Sequence, residues 1–343
     1  MIEQGEGMPS AAQICDTALI MTVLNEEASL PTFLDGLERQ RCLPAEIIVT
    51  DGGSVDRTVE ILESWGVPSG VNLSVITVTG ANISKGRNVA IQKTSRDRIA
   101  VTDAGTTLDP DWLRLLQVGF DSGADVVSGF FVPTGKTLFE KTLSRAVTPL
   151  LDEINPDDFL PSSRSVGFTR RAWAGAGGYP EWLDYCEDLV FDLQLKATGA
   201  RFAFTPEALV TWSARPDILA FGKQYYRYAR GDGKAGLYFA RHAARYVAYV
   251  LGLILFLEGF SIPWLFVPLI LGFLGYQWKF LRRIWKARRE FSGCLVVALT
   301  MTPMLVMFGD LSKMTGYPAG RIWRHRKRPF AAWPMSKTEN PAC

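Results

Sequence analysis

Four short polar segments carry the side chains best suited to bind a nucleotide. They occupy residues 18–27 (ALIMTVLNEE), 47–58 (IIVTDGGSVDRT), 83–91 (ISKGRNVAI) and 101–113 (VTDAGTTLDPDWL). A carboxylate at the end of a strand can accept hydrogen bonds from a base edge or ribose hydroxyls, and glycine lets a ligand approach the backbone. Taken singly, an aspartate in such a place is more often a helix cap or a turn residue. The order of the four segments therefore carries more information than any one of them.

A different chemistry is indicated by the adjacent carboxylates Glu187 and Asp188. Two neighbouring carboxylates raise each other's proton affinity, which suits a general base that works near neutral pH. The same pair is also favoured by the dipole at the N-terminus of a helix. By itself, the pair leaves a catalytic and a structural role open.

The elements that position these residues alternate between strands and helices. Apolar runs predict strands over 17–24, 46–50, 73–78, 98–102 and 125–130, and amphipathic patterns predict helices over 31–41, 56–65, 84–93 and 109–120. Ser29 is the expected N-cap of the first helix, with Pro31 in its first turn. This alternation predicts an α/β fold with a mainly parallel sheet covered by helices. Ligands of such sheets lie at the carboxyl ends of the strands, where the polar segments fall.

Composition excludes several classes of function. Lys+Arg 37 against Asp+Glu 35 is nearly balanced, which argues against nucleic acid as a partner. With two histidines in the chain, a histidine-based zinc site or a Ser/His/Asp triad is not expected. The five cysteines show no CxxC spacing, which indicates reduced thiols in the cytosol. No GxGxxG opens the first helix, against a Rossmann dehydrogenase. Residues 1–16 lack an apolar core, so we expect no signal peptide.

The C-terminal third has the composition of a membrane-associated region. Residues 221–245 mix aromatic residues with arginines at helical spacing, which predicts an interfacial amphipathic helix, with an ordinary surface helix as the alternative. Residues 246–278 are almost uninterrupted apolar sequence and would reach about 50 Å as one helix, against a hydrocarbon core of about 30 Å. Gly259 and Pro263 mark a plausible turn between two helices of a hairpin.

The basic residues indicate which side of a membrane this region faces. A hairpin over 246–278 keeps the cluster at 279–289 on the cytoplasmic side. Residues 291–311 could span once, which would place the basic tail at 324–328 outside, against the positive-inside rule. Pro303 could instead make this segment re-entrant, and the sequence leaves the two arrangements open.

The order and spacing of the four segments resemble the family 2 glycosyltransferases of the GT-A fold, across roughly residues 16–230. In that family a "PVYNEE"-like opening, a "DDGSxDxT" turn, a "GxxxxRN" segment and a "DxD" strand end bind a nucleotide-sugar and its divalent metal. The resemblance implies nucleotide-sugar binding by residues matched by position: Thr22, Asn25, Glu26, Asp51, Arg87, Asn88 and Asp103, with Asp56 as the later aspartate of the turn. The chain departs from the DxD pattern, because the motif here is Asp103-Ala104-Gly105. The implied cofactor is Mg²⁺ or Mn²⁺, with Asp103 as its protein ligand, and the missing aspartate puts the metal geometry in doubt.

The acceptor side of the same family is matched by later segments. Residues 167–173, 177–182, 186–192 and 206–210 follow the family's order. The resemblance implies that Asp188, with Glu187 beside it, is the general base that deprotonates the acceptor hydroxyl. The segment 224–228 (QYYRY) resembles the QxxRW motif near acceptor and diphosphate, which implies such roles for Gln224, Arg227 and Tyr228. A polar patch at 161–164 could meet the acceptor or the phosphates, or be a plain loop.

The sequence therefore predicts a hexosyltransferase-type enzyme. It would move a sugar, with inversion, from a nucleoside diphosphate sugar to a lipid, lipid-linked or glycan acceptor. The expected domains are a GT-A catalytic domain at 16–220, the interfacial helix at 221–245 and a membrane region at 246–343. The expected location is the cytoplasmic membrane, multi-pass, with the catalytic domain in the cytoplasm. Two alternatives remain: a nucleotidyltransferase on a similar sheet, and a non-catalytic nucleotide-sugar-binding membrane partner.

Overall fold

The computed structural model describes residues 13–327. The predicted absence of a signal peptide concerns residues that lie mostly before this range. Arg328, the last residue of the basic tail, lies after it. The described chain divides into two compact units. Unit 1 comprises the residues up to Phe131 together with Phe159–Glu181 and Phe191–Trp212, and unit 2 comprises Val132–Asp158, Trp182–Val190 and the residues from Ser213 onward. The domain bounds predicted from sequence remain predictions.

The strands form a mixed sheet, ordered β3-β2-β1-β4-β7-β6-β8-β5. They are β1 (Gln13–Val23), β2 (Cys42–Asp51), β3 (Asn72–Thr77), β4 (Arg98–Val101), β5 (Thr106–Leu108), β6 (Val126–Thr134), β7 (Val166–Thr169) and β8 (Phe202–Ser213). The first four pair in parallel, whereas β4 with β7, β7 with β6 and β5 with β8 are antiparallel. The predicted α/β fold of GT-A type is confirmed, but the sheet is mixed, because β6, the last strand of the predicted alternation, pairs antiparallel to β7.

Helices alternate with the strands in the first part of the chain, and the described residues from Ile218 onward are mainly helical. They are α1 (Leu30–Glu38), α2 (Thr58–Ser64), α3 (Ile83–Lys93), α4 (Trp112–Asp121), α5 (Leu138–Val147), α6 (Arg170–Gly175), α7 (Glu187–Ala197), α8 (Ile218–Ala235), α9 (Phe239–Glu258), α10 (Phe266–Lys286) and α11 (Leu295–Lys327). Ser29 is the N-cap residue of α1 with Pro31 in the first turn, as predicted, but its side chain makes no capping hydrogen bond. Its hydroxyl bonds to the Glu26 carboxylate instead, because the preceding loop turns back on itself.

Alternating residues of β1 build two cores, one on each face of the sheet in unit 1. Leu19 and Met21 join a cluster that includes residues of α1, α2 and α4, and Ala18 and Ile20 join one that includes residues of α3, α6 and α7. All four side chains have no exposed surface. Successive side chains of a strand point to opposite faces, so a strand covered on both sides is apolar throughout. Because the strands are buried on both faces, their ends have defined positions. The loops that carry the polar segments begin at these ends.

A disulfide joins Cys15 to Cys42, with 6.0 Å between their Cα atoms. The prediction of reduced thiols is therefore wrong for these two cysteines. They lie on the neighbouring parallel strands β1 and β2, where Gln13 pairs with Cys42 and Cys15 with Pro44. This pairing could not be predicted, because it depends on strand register and the cysteines are 27 residues apart in the chain. Among the described residues, Cys186 and Cys294 are free thiols.

Unit 2 is helical, and three of its helical segments are long and apolar enough to cross a membrane. They are Phe239–Glu258, Pro263–Lys286 and Leu295–Lys327 among the described residues. Large apolar side chains of α9 and α10, such as Leu253 and Leu271, are exposed. The segment predicted as one interfacial helix is split in two at Gly236, whose left-handed φ of 77° ends α8. Its interfacial placement remains a prediction.

α8 and α11 pack closely through glycines, and this contact lies within unit 2. A Cβ added at Gly316 would lie 2.2 Å from the Tyr226 carbonyl oxygen, and one at Gly320 would lie 2.1 Å from that of Arg230. On α8, a Cβ added at Gly233 would lie 2.3 Å from the Tyr317 carbonyl oxygen. These distances leave no room for a side chain, so the glycines let the two backbones approach directly.

Candidate functional site

The first two polar segments meet at the carboxyl ends of β1 and β2. The Asn25 amide donates to Ser54 Oγ at 2.9 Å, and the Val55 amide donates to Asn25 Oδ1 at 2.9 Å. Asn25 has a φ of 56°, a left-handed conformation that asparagine tolerates better than most residues. The Glu26 amide donates to Thr58 Oγ1 at 2.7 Å. Two loops that are distant in sequence thus form one polar wall.

Asp51 holds the turn that follows β2. It is 1% exposed, and its carboxylate accepts from the backbone amides of Gly53 at 3.0 Å and Ser54 at 3.1 Å. Gly53 has a φ of 98°, which a residue with a side chain adopts only under strain. The structure therefore places Asp51 as an organiser of this turn. Its predicted contact with a base or ribose stays a prediction.

Asp56 holds the next part of the same loop. Its carboxylate accepts from the Thr58 amide at 3.0 Å and from the Glu27 amide at 3.1 Å. Desolvation acts to raise the pKa of Asp56, but hydrogen bonds from Thr58 and Glu27 outweigh it and keep this pKa below its usual value. The charged form is thus favoured, and it ties the end of β1 to the start of α2.

A cavity of about 230 Å³ lies beside these loops in unit 1. Its lining includes Thr22, Glu26 and Gly52, and also Asn82 and Ile83 at the start of α3. The backbone amides at a helix start favour an anion. Of the residues predicted to bind the nucleotide-sugar, Thr22 and Glu26 line this cavity.

Arg87 and Asp103 form an ion pair in which the arginine is buried and the aspartate is partly exposed. Arg87 Nη2 lies 2.9 Å from Asp103 Oδ1, and the Arg87 side chain is 2% exposed. The Arg87 guanidinium also lies 5.2 Å from the centre of the Tyr179 ring, a cation–π distance. Arg164 Nε lies 3.9 Å from the other carboxylate oxygen of Asp103, so the polar patch at 161–164 reaches this pair. The third and fourth polar segments therefore contact each other, and this contact is the ion pair between Arg87 and Asp103.

These residues do not by themselves fit a divalent metal centre. Among residues 13–327, no group of three or more His, Cys, Asp or Glu side chains could hold a metal ion. Mg²⁺ and Mn²⁺ prefer about six oxygen ligands, whereas the truncated motif offers the single carboxylate of Asp103, already bonded to Arg87. A Cβ added at Gly105 would have nothing within 4 Å, so the position of the missing aspartate is open space.

The Asn88 side chain forms hydrogen bonds with other residues of the protein through both of its polar atoms. Its Nδ2 donates to the Tyr179 carbonyl and to Glu181 Oε1, both at 2.9 Å. Its Oδ1 accepts from the Tyr179 amide at 2.9 Å and from Trp173 Nε1 at 3.2 Å. The residue thereby ties α3 to the segment between α6 and α7. Its predicted donor contact remains untested.

The predicted acceptor-side residues are brought together in unit 2. Glu187 and Asp188 open α7, and Glu187 is 8% exposed. Arg227 of α8 donates through Nη1 to the Tyr185 hydroxyl at 2.6 Å, and its guanidinium lies 5.1 Å from the centre of that ring. The QYYRY segment thus contacts the residue two positions before the carboxylate pair.

The other two residues of this segment that were predicted to lie in the site, Gln224 and Tyr228, bond to each other. Gln224 Nε2 donates to the Tyr228 hydroxyl at 2.7 Å, and Tyr228 is 37% exposed. One turn of helix separates them, so the pair follows from the helix itself. The hydroxyl of Tyr228 is fixed on the same helix as Arg227.

Sequence reasoning missed two residues of this region, Tyr185 and Asp232. Tyr185 accepts the Arg227 hydrogen bond, and Asp232 accepts from Cys186 Sγ at 3.4 Å. Tyr185 had a weak signal, because it lies between two recognised segments. No sequence signal indicated a role for Asp232, because its partners Cys186 and His242 lie 46 and 10 residues away in the chain.

Comparison with known proteins relates the sequence to glycosyltransferases. A sequence model described as Glycosyl transferase family 2 matches residues 18–172. The succinoglycan biosynthesis protein ExoA of Rhizobium meliloti (strain 1021) is 22% identical over 245 residues, covering 66% of this chain and 71% of that protein. A PGL/p-HBAD biosynthesis glycosyltransferase of Mycobacterium bovis is 26% identical over 159 residues, covering 46% of this chain and half of that protein.

Among solved structures, the mannosyltransferase PcManGT from Pyrobaculum calidifontis, in complex with GDP-Man and Mn²⁺, has the same fold. Its TM-score is 0.51 at 14% sequence identity, with 93% of this chain and 89% of that chain covered. At this identity the likeness concerns the fold alone. The family match covers the strands and loops that carry the four polar segments. Over residues 18–172 the chain is therefore similar to the family 2 glycosyltransferases.

Proposed function

We propose that the protein transfers a sugar, with inversion, from a nucleoside diphosphate sugar to a hydroxyl or phosphate of a lipid, lipid-linked or glycan acceptor. The observation that carries this proposal is the meeting of the two acceptor-side motifs in unit 2. Arg227 of the QYYRY segment holds Tyr185, two residues before the Glu187–Asp188 pair. A nucleotide-binding enzyme without an acceptor would have no need of this arrangement.

The donor would bind beside the loops that follow β1 and β2. A cavity of about 230 Å³ is smaller than the roughly 300–1,000 Å³ of sites that enclose a drug-sized ligand, so it would house one part of the donor. Thr22, Glu26 and Gly52 would face the nucleoside. The amides at the start of α3 would favour the diphosphate, because the positive end of a helix dipole lies there.

Asp188 would act on the acceptor as general base. It would take the proton of the attacking hydroxyl, the oxygen would bond to the anomeric carbon, and the bond from that carbon to the nucleoside diphosphate would break. A single displacement of this kind inverts the anomeric centre. Arg227 would offer a positive charge to the leaving diphosphate, a form of electrostatic stabilisation that grows as the bond breaks.

The acceptor class follows from the helices of unit 2. Three described helices could cross a membrane, and the relative from Rhizobium is named for succinoglycan biosynthesis. We propose an acceptor embedded in, or tethered to, the cytoplasmic membrane, with unit 1 in the cytoplasm where nucleotide-sugars are made.

Product analysis with the purified, detergent-solubilised protein tests the proposed reaction. A panel of nucleoside diphosphate sugars is incubated with a membrane lipid extract, and the released nucleotide is identified. Free nucleoside diphosphate together with a glycosylated acceptor is the expected result. Release of pyrophosphate would indicate a nucleotidyltransferase. Donor binding without turnover across the panel would favour a non-catalytic partner.

A further inference from the structure

The segment before the carboxylate pair is held by α8 at several points. Lys234 Nζ lies 2.7 Å from Asp184 Oδ2, next to the Arg227 contact with Tyr185. A Cβ added at Gly231 would lie 2.6 Å from the Tyr185 carbonyl oxygen, so the backbones of helix and segment touch. All of these residues belong to unit 2. The residues leading into α7 are therefore placed by a single helix.

Cys186 directly precedes the Glu187–Asp188 pair, and both its backbone and its side chain are constrained. Its φ is 72°, a left-handed conformation that is costly for a residue with a side chain. Its Sγ donates to Asp232 Oδ1 at 3.4 Å. Burial raises the pKa of the Cys186 thiol well above its ordinary value, with the nearby Asp232 charge adding to this, so the thiol keeps its proton and remains a donor. Asp232 thus holds the residue whose backbone sets the direction in which α7 begins.

Asp232 is in turn anchored to the apolar helices. Its Oδ2 lies 3.0 Å from His242 Nε2 on α9. An Arg245 N–H donates to His242 Nδ1 at 3.1 Å, so the ring proton lies on Nε2, facing Asp232. Arg245 Nε donates to Asp310 Oδ1 on α11 at 2.9 Å, and the Tyr276 hydroxyl of α10 donates to the same carboxylate. A continuous line of polar contacts runs from Cys186 to all three apolar helices.

We propose that Asp232 is a positioning residue for sugar transfer, and that His242 holds it in place. Through Cys186, Asp232 fixes the start of α7 and therefore the place of the Asp188 carboxylate relative to the acceptor. The inference rests on the proposed role of Asp188 as base. It links the geometry of the catalytic carboxylate to the packing of the membrane-spanning helices.

Steady-state kinetics of the full chain in detergent tests the proposal. Asp232→Ala is expected to lower kcat by about 10- to 100-fold, because a misplacement of about 1 Å has that effect on a positioned group. The KM for donor is expected to stay within about twofold, since the donor loops belong to unit 1. Asp232→Asn keeps one oxygen acceptor, for Cys186 or for His242 but not for both, and its kcat is expected to lie between that of Asp232→Ala and that of the unaltered enzyme.

Cys186→Ala provides a second variant should Asp232→Ala fail to fold. It removes the thiol donor, and we expect a kcat reduced several-fold, whereas Cys294→Ala, which removes an exposed thiol, should leave kcat unchanged. An unchanged kcat in both Asp232→Ala and Cys186→Ala would overturn the proposal. So would an equal loss in Asp232→Asn and Asp232→Ala. Asp188→Asn serves as reference: if it retains full turnover, the base assignment itself is wrong, whereas an inactive Asp188→Asn beside a fully active Asp232→Ala removes only the positioning role.

Discussion

At the scale of single residues, the carboxylates of the recognised motifs divide into two groups. Asp51 accepts from backbone amides of its own turn, Asp56 accepts from the amides of Thr58 and Glu27, and Asp103 is paired with Arg87. Asp188 accepts from the amide of the next residue, Leu189, at 2.8 Å, as the first turn of a helix permits. The motif aspartates of unit 1 thus hold the loops proposed to bind the donor, and the proposed base lies at a helix start.

Asp51→Ala should weaken donor binding. The change removes the acceptor for the Gly53 and Ser54 amides, and an unsatisfied buried group costs about 1–3 kcal/mol. Calorimetry with a nucleoside diphosphate measures the affinity, with Asp35→Ala on the exposed side of α1 as control. An affinity equal to that of the control would show that the turn forms without this carboxylate.

Gly105→Asp should create metal binding in the absence of donor. The altered residue enters open space and restores a second carboxylate to the DxD position, whereas the unaltered protein offers Asp103 alone. Mn²⁺ titration followed by calorimetry compares the two proteins without nucleotide. Binding of equal strength in both would contradict the account of this site. A chelator titration of transfer activity then tells whether the unaltered enzyme uses a metal brought in with the donor diphosphate.

The residues of the site could be predicted only where order along the chain carries the signal. Thr22, Glu26 and Arg227 fall in recognisable segments. Asp232 does not, because its role depends on α8 facing a segment 46 residues earlier. The disulfide between Cys15 and Cys42 was missed for a similar reason, since strand register brings the two cysteines together.

At the scale of elements, the contact of α8 with α11 supports the acceptor-side motif. α8 carries Gln224, Arg227 and Tyr228, and its glycines allow it to lie directly against an apolar helix. The sequence predicted strands and helices well in the first 130 residues, where hydrophobic periodicity alternates regularly. It missed β5, which has three residues and pairs with a strand about 100 positions later. A strand this short is stabilised by its pairing with another strand, and it is too short to show a hydrophobic period in the sequence.

Gly316→Ala should destabilise unit 2. The new Cβ would meet the Tyr226 carbonyl at 2.2 Å, so the helices must separate, and overpacking of this kind costs about 1–3 kcal/mol. Gly275→Ala is the matched control, because a Cβ at that helical glycine has nothing within 4 Å. Thermal unfolding in detergent should show a lower midpoint for Gly316→Ala alone. Equal midpoints for the two variants would contradict the close helix contact.

At the scale of the whole molecule, the three long apolar helices are the basis of the proposed membrane location. α9 and α10 are joined by a short turn at residues 259–265, as a hairpin requires. α11 continues for 33 residues through Pro303 and Pro318, about 50 Å of helix, so it is longer than one bilayer crossing needs. The alternative of a re-entrant break at Pro303 is not what the structure shows. The sidedness of these helices remains a prediction.

The loop between α10 and α11 should face the cytoplasm. Cys294 is exposed in this loop and serves as a native probe, in a background with Cys343→Ser. An impermeant thiol reagent should fail to label it in intact cells and should label it after permeabilisation. Ser261→Cys, in the turn between α9 and α10, should show the opposite behaviour. Labelling of Cys294 from outside would invert the proposed topology.

We propose that Asp188 activates the acceptor as general base. The most direct test of this proposal is the turnover of Asp188→Asn, measured beside donor affinity on the same preparation. The account predicts a loss of about 10²–10⁴-fold in kcat, the usual contribution of a general base, with donor affinity unchanged. Asp35→Asn should retain full turnover as the matched control. Near-normal transfer by Asp188→Asn would contradict the account.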